Sequence, residues 1–532
     1  MARPDLLRLG IDVGGTNTDA VVVDSAGVVV AKAKVPTTGD RVVGVERAIR
    51  RLLDDVAVDR DRIHCAMLGT RRATKSILTA SGLRSVAILR IGAPLTHAIP
   101  PLTEWPSELS RAVHAGSATV AGGCEFDGTP IAALDERAIV EFATEVGASA
   151  AAVAITAVFS PVDPTHELRA AEIMRQQLGE IPISLSHEVG ALGLVERENA
   201  TILNAALSGV AADVARDFST AIRRSGLDAE CFVTQNDGTL MALEFSTRFP
   251  VLTIGSGPAN SMRGGAHSSG VSDAVVADIG GSATAVGRLV HGFPWESSPP
   301  NVFAGVRTNF RLPDLCYIPL GGGSVVRGAV GRWANGRPHL GSTFPREALC
   351  FGGSTPTLAD AAVAAGRATT GTHPVSVKWG ARLAEHLAEA DMLLADAVDR
   401  VRLGVEDLPL VVVGGGGHIA PDHLPGIGEV IKPPHFEVAN ALGAAIAPVS
   451  GHAERICAGR PDRLAAAIAE ISAEAIGQAI QAGADPSLVE VVDIDEVPLT
   501  YLRDPAVRIK VRAIGPPVSF TPRNPVTRRD PA

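Results

Sequence analysis

Leu9-Gly10-Ile11-Asp12-Val13-Gly14-Gly15-Thr16-Asn17-Thr18-Asp19 finds an echo about half a chain later in Val276-Ala277-Asp278-Ile279-Gly280-Gly281-Ser282-Ala283-Thr284. In each copy an apolar strand ends on an Asp, two glycines permit a tight turn with exposed backbone N–H groups, and hydroxyl residues follow before a second apolar strand. Such a turn suits phosphate oxygens. One Gly-Gly-Thr alone reads as an ordinary hairpin turn. Two copies so placed read as duplicated halves that face each other across a cleft, each Asp able to hold water on a bound Mg2+.

Working outward, Val411-Val412-Val413 runs into Gly414-Gly415-Gly416-Gly417, a buried strand emptying into a loop with no side chain to block a flat ligand such as adenosine. β-Branched runs alternate with helical patterns along most of the chain, the mark of α/β architecture. Asp40 is placed to cap a helix carrying Val42, Val45, Ile49, Leu52, Leu53 and Val56 on one face. Three regions are expected: 1–190, 191–456 with a Gly/Pro-rich loop region at 293–353, and 457–532 with a helix, strands and a poorly packed tail marked by Pro516, Pro517, Pro522, Pro525 and Pro531.

Composition narrows the partners. The 532 residues are 46% hydrophobic and 20% charged, enough apolar material for two or three compact units. With 58 acidic against 48 basic side chains, a net charge of −10 and no basic run, a nucleic-acid partner is not expected. The longest apolar stretch, Gly147 to Phe159, falls short of the ~20 residues that cross a bilayer, so no membrane span is expected. Asp5, Arg8 and Asp12 interrupt the place of a signal segment, and the expected location is cytoplasmic. Six scattered cysteines fit neither a disulfide framework nor a zinc knuckle, and His418 and His423 lack metal-site spacing.

Two phosphate hairpins followed by a late strand and glycine loop resemble the sugar kinase, heat-shock chaperone and actin ATPase superfamily, whose fold is two RNase H-like domains around an interdomain nucleotide cleft. A narrower resemblance, from about Leu7 to about Ile456, is to the hydantoinase A/oxoprolinase family. It rests on the first hairpin together with Glu196-Arg197-Glu198-Asn199, Asn236-Asp237-Gly238-Thr239, Ser256-Gly257-Pro258, Asn260-Ser261-Met262-Arg263-Gly264, Val306-Arg307-Thr308-Asn309-Phe310, Gly321-Gly322-Gly323-Ser324 and Val438-Ala439-Asn440-Ala441-Leu442-Gly443-Ala444-Ala445. The resemblance implies ATP-dependent opening of a cyclic amide through phosphorylation of its carbonyl oxygen, with a separate B-type subunit and an oligomeric assembly.

The expected catalytic residues are Asp12, Asp19 and Asp278, with Asp12 and Asp278 also the expected Mg2+ holders. ATP is expected at Gly14, Gly15, Thr16, Asn17 and Thr18, at Gly280, Gly281, Ser282 and Thr284, and at Gly414, Gly415, Gly416 and Gly417. Three departures from the family pattern stand out. Gly69-Thr70-Arg71-Arg72-Ala73-Thr74-Lys75 replaces a neutral His and Asn with cations, Ala285 stands in place of a carboxylate, and Trp295 in place of an Arg. Arg71, Arg72 and Lys75 are either contacts for an anionic substrate or phosphate, or a solvated helix face, the latter being the expectation. Two alternatives accompany the main reading: a small-molecule kinase with Asp19 as base, and a nucleotide-binding protein that has lost turnover.

Overall fold

The computed structural model describes residues 6–55, 58–190, 192–297, 300–327, 338–402, 404, 407–458, 461–499 and 506–518. β1 (Leu7–Val13) and β2 (Asn17–Val23) form the first hairpin, β3 (Val29–Pro36) follows, and α1 (Arg41–Asp55) returns the chain to β4 (Ile63–Thr70) and α2 (Arg72–Leu78). Asp40 accepts the Val43 N–H at 3.2 Å at the start of α1, and Val45, Ile49 and Leu52 are buried on the face that the periodicity marks. Val56 lies outside the described residues.

An inserted unit comes next: β5 (Val86–Ala93), α3 (Ser107–Val113), β6 (His114–Ala121), α4 (Glu136–Val146), β7 (Ala152–Ala157), α5 (Thr165–Leu178), β8 (Ile183–Leu185) and α6 (Ser186–Val189). Its four strands are parallel in the order β6-β5-β7-β8. The long helix α7 (Leu194–Arg224) packs against both this unit and α1. Then come β9 (Glu230–Thr234), β10 (Leu240–Ala242), α8 (Leu243–Arg248) and α9 (Ser256–Ser269).

The second hairpin is β11 (Ala274–Ile279) and β12 (Thr284–Val290). It is followed by the short strands β13 (Phe293–Pro294), β14 (Asn301–Phe303), β15 (Val306–Thr308) and β16 (Leu315–Ile318), then by α10 (Phe344–Glu347), α11 (Leu358–Ala364) and α12 (Gly380–Val401). The chain finishes through β17 (Leu410–Val413), β18 (Val430–Ile431), α13 (Ala439–Ile446), β19 (Val449–Ala458), α14 (Pro461–Gln481), β20 (Glu490–Leu499) and β21 (Ala506–Gly515).

The two halves repeat one sheet pattern. In the first, β3, β2 and β1 are antiparallel neighbours and β4 and β9 continue in parallel. In the second, β16, β12 and β11 are antiparallel neighbours and β17 and β18 continue in parallel. These are the expected RNase H-like halves. The regions expected from the sequence cut across them, because the first sheet gathers its nine strands from 7–70, 230–242 and 449–515, in the order β20-β21-β19-β10-β9-β4-β1-β2-β3. The C-terminal strands thus extend the first sheet rather than form a region of their own. Pro516 and Pro517 are part of that packing: the Pro516 carbonyl accepts the Asp485 N–H at 2.9 Å and Pro517 is buried. Pro522, Pro525 and Pro531 lie outside the described residues.

α13 lies on β1 and β2, α9 lies on β11 and β17, and the two helices cross where the halves meet. The approach is backbone to backbone: a Cβ on Gly264 would sit 2.0 Å from the Ala439 carbonyl oxygen, and one on Gly443 1.9 Å from that of Asn260. Only glycine permits it.

Of the Glu196-Arg197-Glu198 run, Glu198 forms a buried ion pair with Arg90, both side chains 1% exposed, which ties α7 to β5. Arg90→Met leaves that carboxylate buried without a partner and should cost about 3–5 kcal/mol. Urea unfolding checks this, and adding Glu198→Leu should recover most of the loss.

Candidate functional site

Strand register brings the expected residues into two matching rows. In the first half Lys34, Asp19, Asp12 and Gly69 stand side by side on β3, β2, β1 and β4. In the second, Tyr317, Ala285, Asp278 and Val413 stand side by side on β16, β12, β11 and β17. Asp12 therefore corresponds to Asp278, and Asp19 to Ala285. Only one half keeps its second carboxylate.

The two turns are built alike. Gly14 donates its N–H to Asn17 O at 3.0 Å and Gly280 donates to Ala283 O at 3.0 Å. They also face each other, with Thr16 Oγ1 only 3.7 Å from where a Cβ on Gly281 would be. Gly15, Gly281 and Ser282 are exposed at the turn tips, while Gly14, Thr16, Asn17 and Gly280 are half-buried. Thr18 and Thr284 are placed differently from their expected phosphate role, because both are buried within the sheets. Thr18 shares a 3.2 Å hydrogen bond with Thr37, whose hydroxyl donates to Gly14 O, and Thr284 donates to Leu320 O at 2.8 Å. The strand pleat points both hydroxyls into the sheet interior, where Thr18 braces the first turn through Thr37 and Thr284 holds the chain at Leu320, just before the loop whose Gly322 N–H bonds Gly280 O.

The glycine loop meets the second turn directly. Gly416 donates its N–H to Ile279 O at 2.7 Å, and Gly322 donates to Gly280 O at 3.0 Å from the other side. Gly414 has φ +89°, and a Cβ there would lie 2.3 Å from Asp278 Oδ1. Gly415 is the exposed member, Gly414 is half-buried, and Gly416 and Gly417 are buried. The run of four glycines is thus needed as much for packing against the Asp278 turn as for an open surface.

The carboxylates are electrostatically tense. Asp12 is 4% exposed, its Oδ1 has no hydrogen-bond partner, and burial pushes its pKa up to about 7. Arg71 and Lys34 pull that value down while Asp19 and Asp278 push it up. Asp19 is also raised by burial, despite accepting a 2.9 Å hydrogen bond from Lys34, and its Oδ1 has no partner. Asp278 accepts from Ser261 at 2.7 Å. Buried acceptor oxygens without donors, close to like charges, fit a cation held between carboxylates, water and a ligand's own oxygens. Among the described residues no three His, Cys, Asp or Glu side chains converge to hold a metal by themselves.

The cationic stretch divides. Arg72 turns to Asp213 and Asp217 on α7, at 3.8 and 3.9 Å, with its side chain only 21% exposed, and Lys75 alone is exposed as on a solvated helix face. Arg71 departs from that expectation, lying within charge range of Asp12 and Tyr317, with Nε 3.4 Å from the Cβ position of Gly257. Lys34 and Tyr317 carry no sequence signal, because their place follows from cross-strand register. Ser256 heads α9 without capping it, its hydroxyl donating to Thr253 O at 3.1 Å.

The hydantoinase/oxoprolinase N-terminal region matches residues 8–178 and the hydantoinase/oxoprolinase region matches 197–392. An uncharacterized protein of Methanocaldococcus jannaschii is 24% identical over 496 residues, covering 83% of this chain and 72% of its own length. The caprolactamase subunit alpha of Pseudomonas jessenii is 25% identical over 385 residues, covering 68% of this chain and 54% of that protein. A crystal structure of the ATP-dependent caprolactamase from Pseudomonas jessenii shares the fold at a TM-score of 0.74 and 18% identity, over 97% of this chain and 89% of that one.

Proposed function

This chain belongs to the hydantoinase/oxoprolinase family, and from that premise we propose that it binds ATP across the cleft and uses it to activate the carbonyl of a cyclic amide. The observation that carries the reading is the pair of matched turns face to face, Thr16 against Gly281, with the glycine loop beside the second. An amide carbonyl is a poor electrophile because nitrogen donates into it. Transfer of the terminal phosphoryl of ATP to the carbonyl oxygen releases ADP; water then adds to the carbon, collapse of that adduct breaks the C–N bond and leaves an acyl phosphate on the opened ring, and a second water hydrolyses the acyl phosphate to carboxylate and phosphate.

Mg2+ would neutralise phosphate charge, with Asp12 and Asp278 holding its water ligands. The turn tips offer backbone N–H groups to the phosphates, and Gly415 leaves a surface for the adenosine. Lys34, whose Nζ lies 3.7 Å from the Cβ position of Gly415, adds positive charge on that side. A B-type partner for the hydrolytic half, an oligomeric assembly and a cytoplasmic location belong to the same proposal. The caprolactamase relative is by name one subunit of its enzyme. Among the described residues no helix is long and apolar enough to cross a membrane.

The test is phosphate release from ATP across a panel of hydantoins and lactams, with and without a B-type protein. A rise of about tenfold or more with one ring class supports the reading. A stable phosphorylated product points instead to a small-molecule kinase. ATP binding without any phosphate release, even with the partner, points to the binding-only alternative that Ala285 motivates.

A pH effect accompanies this. Since burial keeps Asp12 protonated below about pH 7, Mg2+-dependent nucleotide binding should weaken about tenfold for each unit of acidification below that point. Titration with a fluorescent ATP analogue at stepped pH measures it, and a flat profile contradicts a metal role for Asp12.

A further inference from the structure

We infer that Arg71 determines specificity for the acceptor molecule by holding a carboxylate on it, an inference that rests on the ATP-dependent reading of the cleft. β4 corresponds to β17, so the chain leaving β4 corresponds to the chain leaving β17. Where β17 empties into Gly414 to Gly417, β4 ends on Thr70 and empties into Arg71. With the phosphates at the facing turns and the adenosine at the glycine loop, the related position in the first half is the end of the cleft left for the second substrate. A guanidinium stands there.

Arg71 is exposed, and among the described residues its side chain makes no hydrogen bond or ion pair, only its backbone carbonyl accepting the Lys75 N–H at 2.9 Å. The neighbouring cations are committed: Arg72 to Asp213 and Asp217, Lys34 to Asp19 and the Glu437 carbonyl. Gly257 on α9 lies beside the guanidinium, a methyl there being in ordinary van der Waals contact with Nε at 3.4 Å. Tyr317, 64% exposed and within charge range of both Arg71 and Asp278, offers a hydroxyl on the same side. Lys34 and Arg71 thus flank the acid row at opposite edges, one beside the glycine loop and one away from it.

The acid row means that an anionic acceptor needs a cation beside it. Carboxylates in the cleft repel such an acceptor, and a planar guanidinium that can grip a carboxylate through two parallel hydrogen bonds offsets that repulsion in a way a neutral Thr or His does not. A neutral lactam has no use for such a group, and an unpaired cation beside it is a cost to selectivity.

The test uses the full chain with Mg2+ and a nonhydrolysable ATP analogue, and two forms of one lactam, with a carboxylate or a carboxamide on the carbon beside the ring nitrogen. Calorimetry should show the carboxylate form bound more tightly. Arg71→Ala should weaken that form about 10- to 100-fold, leave the carboxamide form within about twofold, and leave the ATP analogue unchanged. Arg71→Lys should restore part of the loss. Equal loss for both forms marks a structural role, loss of ATP analogue affinity marks a phosphate role, and no preference or no binding by the wild type removes the inference, each of the three overturning it. Carboxylate discrimination without phosphate release leaves Arg71 standing while the proposed turnover fails, so the two are separable.

Discussion

Asp12→Asn should lower ATP turnover by about a thousandfold or more while making the protein harder to unfold above neutral pH. The loss follows from position: Asp12 ends the strand that enters the first turn of the cleft, and under the proposed function it is one of the two carboxylates that hold Mg2+ water there. The gain follows from burial. An ordinary Asp ionises near 3.8, whereas folded Asp12 does so near 7. Between those values the folded state keeps a proton that the unfolded chain has released, so stability falls as pH rises through the window. The cumulative cost to the wild type by pH 8 is about 2–4 kcal/mol, and Asn, neutral in both states, does not incur it. Urea midpoints for the two proteins should agree near pH 4 and diverge in favour of Asn by pH 8. Saturating Mg2+ and ATP should then narrow the gap by stabilising the wild type alone. An Asn variant that turns over normally, or is equally stabilised at both pH values, would falsify the charge-strain account of the site.

A second large effect is expected at the helix crossing. Gly443→Ala puts a methyl 1.9 Å from the Asn260 carbonyl oxygen, and no rotamer change relieves a clash with backbone. Either α9 and α13 separate or the sheets they lie on shift, so the loss should be at least about 3 kcal/mol. Separation of the halves also parts Thr16 from Gly281, so ATP affinity should fall even in whatever fraction remains folded. Gly477→Ala is the control, because it lies within α14 with nothing within 4 Å of its Cβ position. It should be neutral or stabilise by about 0.5–1 kcal/mol. Comparable urea curves for the two variants would mean the crossing is looser than its geometry implies.

Arg71 and Arg72 part ways for reasons that lie outside their own stretch of sequence. Both residues are cations at the start of one short helix, and nothing in their spacing separates them. Their directions are set by what lies opposite: α7 presents Asp213 and Asp217 to one, while the cleft and Gly257 lie before the other. Thr18 and Thr284 teach the same lesson in reverse. Their type and position beside glycines suit phosphate, yet strand alternation turns both hydroxyls inward, one to Thr37 and the other to the Leu320 carbonyl.

By itself the sequence determined what depends on neighbours along the chain: the two Asp-Gly-Gly turns, the glycine loop, the capped amphipathic helices and the α/β alternation, because turn geometry and periodicity are local properties. Tertiary structure alone decided that residues 449–515 complete the first sheet, that Lys34 and Tyr317 join the rows, that α9 and α13 touch through glycine, and that Asp12 holds its proton to near neutrality. Those outcomes depend on cross-strand register, on helix approach and on the removal of water from a charge, and each is set by residues far apart in the chain.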